Sequence, residues 1–347
     1  MLQELLHTRK LPPLLSQAEM LAQLQREEYG FLPPPPDEMH SAISTVLGNF
    51  CAGKATLERV ELTVRVGARD FTFPAYAAIP TTAGPHPFFI HINFRDAVPD
   101  RYMPTEELID HGFAVLSFCY TDVTSDDGDF QNGLAALFYP DGVRRPTDAG
   151  KIALWAWAAQ RVMDYALTDR RLDPTTATVC GHSRLGKTAL FAAATDERFA
   201  VAHSNDSGCS GASLSRGKCR GGERIADICK NFPYWFCENY LRYVDREEAL
   251  PFDQHALLAC IAPRRVYVAS AAEDIWADPA GEYLACVAAG EAYAAHGLNG
   301  LVGEDRLPRV GDAFHDGHIG YHLRAGKHYF SREDWLHLIA YIQRHRK

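Results

Sequence analysis

The stretch Ala177-Thr-Val-Cys-Gly-His-Ser-Arg-Leu-Gly-Lys-Thr-Ala-Leu190 decides how this chain is read. A short apolar run ends at Gly181, a tight turn carries Ser183, and a helical pattern begins near Leu185. Strand, sharp turn and helix in that order predict a nucleophile elbow, which lifts a serine hydroxyl above the end of a strand. The helix start adds free N–H groups and a positive dipole end, suited to a developing oxyanion. The spacing is G-x-S-x-x-G rather than the general G-x-S-x-G. The same residues, Gly181 to Thr188, also satisfy G-x-x-x-x-G-K-[ST], so a phosphate-binding loop of a nucleotide-dependent phosphotransferase is a rival from a different class. Its interior, His-Ser-Arg-Leu, has no glycine to wrap a triphosphate, and no later apolar strand ends in an aspartate placed to hold Mg²⁺. A serine that merely shapes the turn is the third reading.

Working outward, short apolar runs alternate with helical segments. The runs are Phe88–Phe94, Ala114–Tyr120, Ala177–Cys180, Ala200–His203, Arg265–Ser270 and Ile319–Arg324; the helices are expected at Glu106–His111, Ile152–Leu167, Leu185–Ala194, Pro279–His296 and Arg332–His345. This alternation predicts an α/β fold, a mostly parallel sheet with helices on both faces. Two period-2 stretches ahead of it, Leu57–Val66 and Phe71–Ala78, predict an antiparallel pair. Residues 14–29 have helical spacing and are stopped by Pro33–Pro36, which predicts an N-terminal arm over residues 1–40. Residues 41–347 then form a single domain with a cap-like insertion over one edge, rich in Gly, Cys and aromatics, at about 207–251.

A serine nucleophile needs a histidine base and an acid to orient it, and in sheet hydrolases these follow in the order Ser, acid, His. After the run Arg265–Ser270 come Asp274 and Asp278; Asp278, just before Pro279, fits a helix cap, which leaves Asp274 as the orienter. His328 follows the last apolar run and is the expected base. The cluster His315, Asp316, His318 and His322 lacks metal-site spacing and is read as a polar loop, so no metal and no cofactor are expected. The acidic loop Asp122–Asp129 fails calcium-loop spacing and is read as solvated.

Composition narrows the function classes. The chain has 347 residues, with 44 acidic against 35 basic side chains and a formal charge of −9. That balance argues against a nucleic-acid partner, and no run reaches the ~18 apolar residues of a membrane span. Nine cysteines without a Cys-x-x-Cys pair read as reduced thiols, and the N-terminus lacks the apolar core of a signal peptide, so a cytoplasmic location is expected. The oligomeric state has no signature here.

With elbow, acid and base placed, the chain resembles the glucuronoyl esterases, carbohydrate esterase family 15. Gly181–Lys187 matches that family's G-C-S-R-x-G-K signature, which accounts for the glycine spacing. The likeness continues through Asp206-Ser-Gly208, Gly222-Glu223, Phe232–Phe236, Leu250–His255, Ile261–Arg264 and Trp276–Pro279, and spans roughly residues 85–345. It implies an α/β-hydrolase three-layer sandwich and a serine carboxylic ester hydrolase acting on a small carbohydrate ester. An acetyl-ester hydrolase on xylo-oligosaccharides is the alternative within the esterases. The resemblance further implies Ser183 as nucleophile, His328 as base, Arg184 as oxyanion stabiliser, and Lys187, Glu223, Trp235 and Trp276 as the sugar site. Two positions depart from the pattern. Asp206 stands where many members carry a triad Glu, so Asp206 and Asp274 both remain candidates for the acid, and His182 replaces a cysteine.

Overall fold

The computed structural model describes residues 1–346. Its ten strands are β1 (Glu38–Phe50), β2 (Ala55–Val66), β3 (Arg69–Pro80), β4 (Phe88–Asn93), β5 (Ala114–Cys119), β6 (Thr178–His182), β7 (Val201–Asn205), β8 (Arg265–Ala271), β9 (Ala313–Phe314) and β10 (Ile319–Arg324). They form one sheet in the order β1-β2-β3-β5-β4-β6-β7-β8-β10-β9. The six strands from β5 to β10 in that order, without β9, run parallel. Their residues are buried almost without exception, as expected of strands covered on both faces. β1, β2 and β3 form an antiparallel meander at one end.

Each parallel strand expected from the apolar runs is present within a few residues, and the helices fall at Thr105–Asp110, Lys151–Ala166, Arg184–Thr195, Pro279–Ala295 and Arg332–His345. β1 was not anticipated. All but two of its residues are exposed, so it has no buried face to impose a period of two. A parallel sheet brings the C-terminal ends of its strands to one edge, and the loops there form the crevice for a ligand. Ser183 follows β6, Asp206 follows β7, Asp274 follows β8 and His328 follows β10.

Residues 1–37 hold the helices Leu2–Arg9 and Gln17–Leu24, the second closed by a capping box between Ser16 and Glu19. Tyr29, fully buried, stacks on Phe191 at 4.3 Å and donates its hydroxyl proton to the Ser210 carbonyl at 2.7 Å. The Glu28 carboxyl accepts from the Gln254 amide at 3.0 Å. Within residues 207–251, Leu214, Ile225, Ile228, Trp235, Phe236 and Tyr240 are buried in the main core, continuous with the sheet's. All nine cysteines are free, seven of them buried. Among the described residues no helix is long and apolar enough to cross a membrane.

Candidate active site

The elbow is built by close approach. A Cβ on Gly181 would stand 2.2 Å from the Leu185 carbonyl oxygen, so only glycine lets the helix return over the strand end. The second glycine, Gly186, faces β7; a Cβ there would meet Ser204 Oγ at 3.0 Å and Ser207 Cβ at 3.1 Å. That packing explains why the glycine falls one position later than in G-x-S-x-G. Ser183 sits at φ 58°, ψ −126°, a strained backbone held by its N–H to the Asn205 carbonyl at 2.9 Å. Its own carbonyl accepts from Gly186 and Lys187. The first N–H groups of the helix have no intrahelical partner and lie beside the serine.

Ser183, Asp274 and His328 line one cavity of about 370 Å³. His328 Nδ1 and Asp274 Oδ2 are 2.6 Å apart, with Asp274 buried and the His328 side chain 44% exposed. Asp206 lies close by: it, Asp274 and His328 bring one polar atom each within 4.8 Å. Its oxygens are committed elsewhere. Oδ1 accepts from Ala271 N at 2.7 Å, and Oδ2 accepts from Arg324 at 3.3 Å and Tyr329 N at 3.4 Å. Burial, with the charges of Glu282 and Asp334 adding to it, pushes Asp206 well above the carboxylate range. The histidine is thus oriented by Asp274, while Asp206 braces the loop that carries it. Asp278 caps the helix Pro279–Ala295, its side chain accepting from Gly281 N at 3.2 Å.

His182, the departure beside the nucleophile, is buried and pairs through Nδ1 with Asn205 Oδ1 at 2.5 Å. Its ring lies 4.3 Å from that of His328 and stacks on Tyr102 at 5.6 Å. Burial holds it down to about 3, so it is neutral and does not repel a proton arriving on His328.

Arg184 projects into the cavity and ion-pairs with Asp126, with its guanidinium 4.6 Å over the Trp235 ring. Asp126 also accepts from Trp235 Nε1 at 2.7 Å and from the Tyr120 hydroxyl at 2.9 Å. The acidic loop expected to be solvated therefore contributes a partly buried anchor to the site. Asp126 had no local signal for this role, because Arg184 and Trp235 lie 58 and 109 residues away. Arg184 Nε is buried and has no hydrogen-bond acceptor among the described residues.

Glu223, Trp235 and Trp276 line the same cavity. Trp235 is 3% exposed and lies flat on Phe232, with ring centroids 3.9 Å apart. Trp276 is 49% exposed. Lys187 also lines the cavity, but its ammonium is turned onto the carbonyls of Ser207 and Cys209, with Glu223 3.9 Å away. Burial lowers its pKa. A phosphate-loop lysine must be free for phosphates, so the nucleotide reading finds no support here. Of the histidine cluster, His315 and His322 both bond to the Tyr267 hydroxyl at 2.9 Å, and His322 bonds to Asp334. His322 is buried, and His315 joins the network from its partly exposed edge.

Fold and elbow define the class: an α/β-hydrolase with a serine, a histidine and a carboxylate at the C-terminal edge of its sheet. Residues 62–297 match the family model described as "Glucuronyl esterase, fungi". The chain is 42% identical over 242 residues to "Carbohydrate esterase MZ0003" of an unknown prokaryotic organism, covering 69% of this chain and 55% of that protein. It is 29% identical over 270 residues to the 4-O-methyl-glucuronoyl methylesterase of Podospora anserina, covering 75% and 51%. The solved glucuronoyl esterase of Solibacter usitatus superposes with a TM-score of 0.87 at 31% identity, covering 94% of this chain and 91% of that one. The chain belongs to the glucuronoyl esterase family, carbohydrate esterase family 15. It spans about half the length of the first two curated relatives.

Proposed function

We propose that this chain is a serine carboxylic ester hydrolase acting on the ester of a uronic-acid sugar. The observation that carries the reading is the His328–Asp274 pair at 2.6 Å, sharing one cavity with a serine on a strained elbow. Ser183 Oγ attacks the ester carbonyl while His328 takes its proton, and Asp274 fixes the imidazole tautomer and steadies the imidazolium. The alkoxide of the tetrahedral intermediate is held by the free N–H groups at the helix start and by the guanidinium of Arg184, which Asp126 and Trp235 hold in place before substrate arrives. His328 returns the proton to the departing alcohol, and a water molecule then releases the acid from Ser183 by the same route. Trp276 offers an exposed aromatic face for a sugar ring, and the Glu223–Lys187 pair supplies the polar wall.

The family supports the substrate class, since relatives are named 4-O-methyl-glucuronoyl methylesterases. The nine free thiols support a reducing compartment such as the cytoplasm. A fluorophosphonate probe tests the covalent step: wild type is expected to label and Ser183→Ala is not, and an unlabelled wild type refutes the mechanism. Turnover of methyl glucuronate without turnover of acetylated xylo-oligosaccharides supports the uronate ester. The opposite preference assigns the acetyl-ester activity instead.

A further inference from the structure

The segment Cys219–Glu223 separates two concavities. On one side Glu223 lines the catalytic cavity. On the other, Arg220 and Gly222 line a groove of about 700 Å³, whose far wall is the end of the first helix at Arg9 and Lys10. Both volumes are in the range of pockets that hold small ligands. The dividing segment is short and fixed: Glu223 N donates to the Trp276 carbonyl at 2.8 Å, and Gly222 N donates to the Cys219 carbonyl at 3.0 Å.

The groove is basic on an acidic protein. Six of its side chains are cationic and two are anionic, whereas the whole chain carries a charge of −9. Three cations are already engaged. Arg216 is buried, donates to the carbonyls of Glu248, Leu250 and Phe252, and pairs with Asp253. Lys218 donates to the Ser213 hydroxyl at 2.6 Å and lies 3.9 Å from Asp278. Arg224 is bidentate to Glu247 at 2.9 and 3.0 Å. Arg9, Lys10 and Arg220 remain, and none of these pairs with a carboxylate among the described residues. Arg9 is nevertheless held: it donates to the Arg216 carbonyl at 2.7 Å, and its stem crosses Gly217, where a Cβ would stand 3.0 Å from Arg9 Cγ. Among the described residues Glu248 is the one groove acid without a cation, and it is exposed.

We infer that this groove binds the free carboxylate of a second uronic-acid unit, on the same oligosaccharide whose esterified uronate occupies the catalytic cavity. The inference rests on the proposed esterase reading and narrows its substrate to an acidic oligosaccharide with at least two uronates. Three unpaired cations beside one exposed acid suit one or two carboxylates, not a polyanion. The sugar chain crosses at Gly221, which is exposed and carries no side chain, with the half-exposed Trp276 on the rim.

The test compares two substrates in the full chain: the methyl ester of glucuronic acid alone, and a xylo-oligosaccharide bearing one methyl-esterified and one free glucuronate. Arg220→Ala is expected to raise KM about 3- to 10-fold for the second substrate only, with kcat unchanged, and Arg220→Lys to restore most of the loss. The difference shrinks in about 0.5 M salt. Equal effects on both substrates, or none on either, overturn the inference, and unaltered melting guards against a folding defect. If wild type hydrolyses neither substrate, it is the esterase reading that has failed. Calorimetric binding of the unesterified diuronate to Ser183→Ala then decides the groove alone. Binding weakened by Arg220→Ala supports a uronate site; no binding, or preference for a sugar phosphate, refutes it.

Discussion

Replacing Asp274 by Asn, beside the same change at Asp206, separates orienting the base from bracing its loop. Asp274 Oδ2 lies 2.6 Å from His328 Nδ1, and its Oδ1 has only a long contact, 3.4 Å, to Ala277 N. An amide facing Nδ1 with its NH₂ forces the proton onto the nitrogen that must accept from Ser183, and it removes the charge that steadies the imidazolium. The triad template puts that loss at about 10⁴ in kcat, or about 5 kcal/mol. Asp206→Asn touches no catalytic proton. It places an amide where Ala271 N, Arg324 and Tyr329 N all donate, so one donor is left facing another, at about 1–3 kcal/mol of stability. Its kcat is expected to stay within about tenfold of wild type, since the His328–Asp274 bond survives. Steady-state hydrolysis of methyl glucuronate, with thermal melts of both variants, reads the contrast. A kcat loss at Asp206→Asn equal to that at Asp274→Asn, or a fall of less than about tenfold at Asp274→Asn, refutes the assignment.

Three other changes follow from the geometry. Asp126→Asn leaves Arg184, Trp235 and Tyr120 competing for a single amide oxygen; kcat should drop by up to about 100-fold, and an unchanged kcat means Arg184 needs no anchor. Gly150→Ala puts a Cβ 2.2 Å from the Trp235 carbonyl, backbone against backbone; it should cost at least about 2 kcal/mol in a denaturant melt and raise KM through the displaced tryptophan. Stability should peak near pH 6.5. Burial holds His182 and His203 near 3 and His91, His315 and His337 near 4, so the unfolded chain takes up protons first and stability falls as pH drops below about 6.5. Burial lifts Glu282 to about 7 and Glu28 to about 8, so the native state keeps protons that the unfolded chain gives up, and stability also falls as pH rises toward 8. Tm measured between about pH 5 and pH 9 should show both limbs, with the upper one flatter in Glu28→Gln; a Tm still rising at pH 8 contradicts this.

The residues legible in the sequence were those tied to strand ends. An apolar run of five or six residues closes on a turn, and in a parallel sheet every such turn faces the same edge. Ser183, Asp274 and His328 could therefore be placed in one crevice from order alone. The choice between Asp274 and Asp206 could not be read that way, because both follow strands on that edge; what separates them is which donors meet each carboxylate. Asp126 was hidden for a related reason. Its spacing within the loop resembles surface acid, and only the fold brings Arg184 and Trp235 onto it. β1 escaped notice because its exposed residues need no pattern. The groove at Arg9 and Arg220 is assembled from segments over two hundred residues apart, and no window along the chain contains both.

The contacts of Tyr29 and Glu28 also bear on the order in which the molecule is made. Their partners, Ser210 and Gln254, lie 181 and 226 residues further on. The ribosome releases the arm well before these partners, yet its seat behind the elbow helix does not exist until they too have been synthesised. Loop closure over that distance comes late, because its entropy is recovered only once the sheet has formed. The arm, translated ahead of the partners that hold it, is docked last, and the back of the nucleophile helix stays open until it arrives.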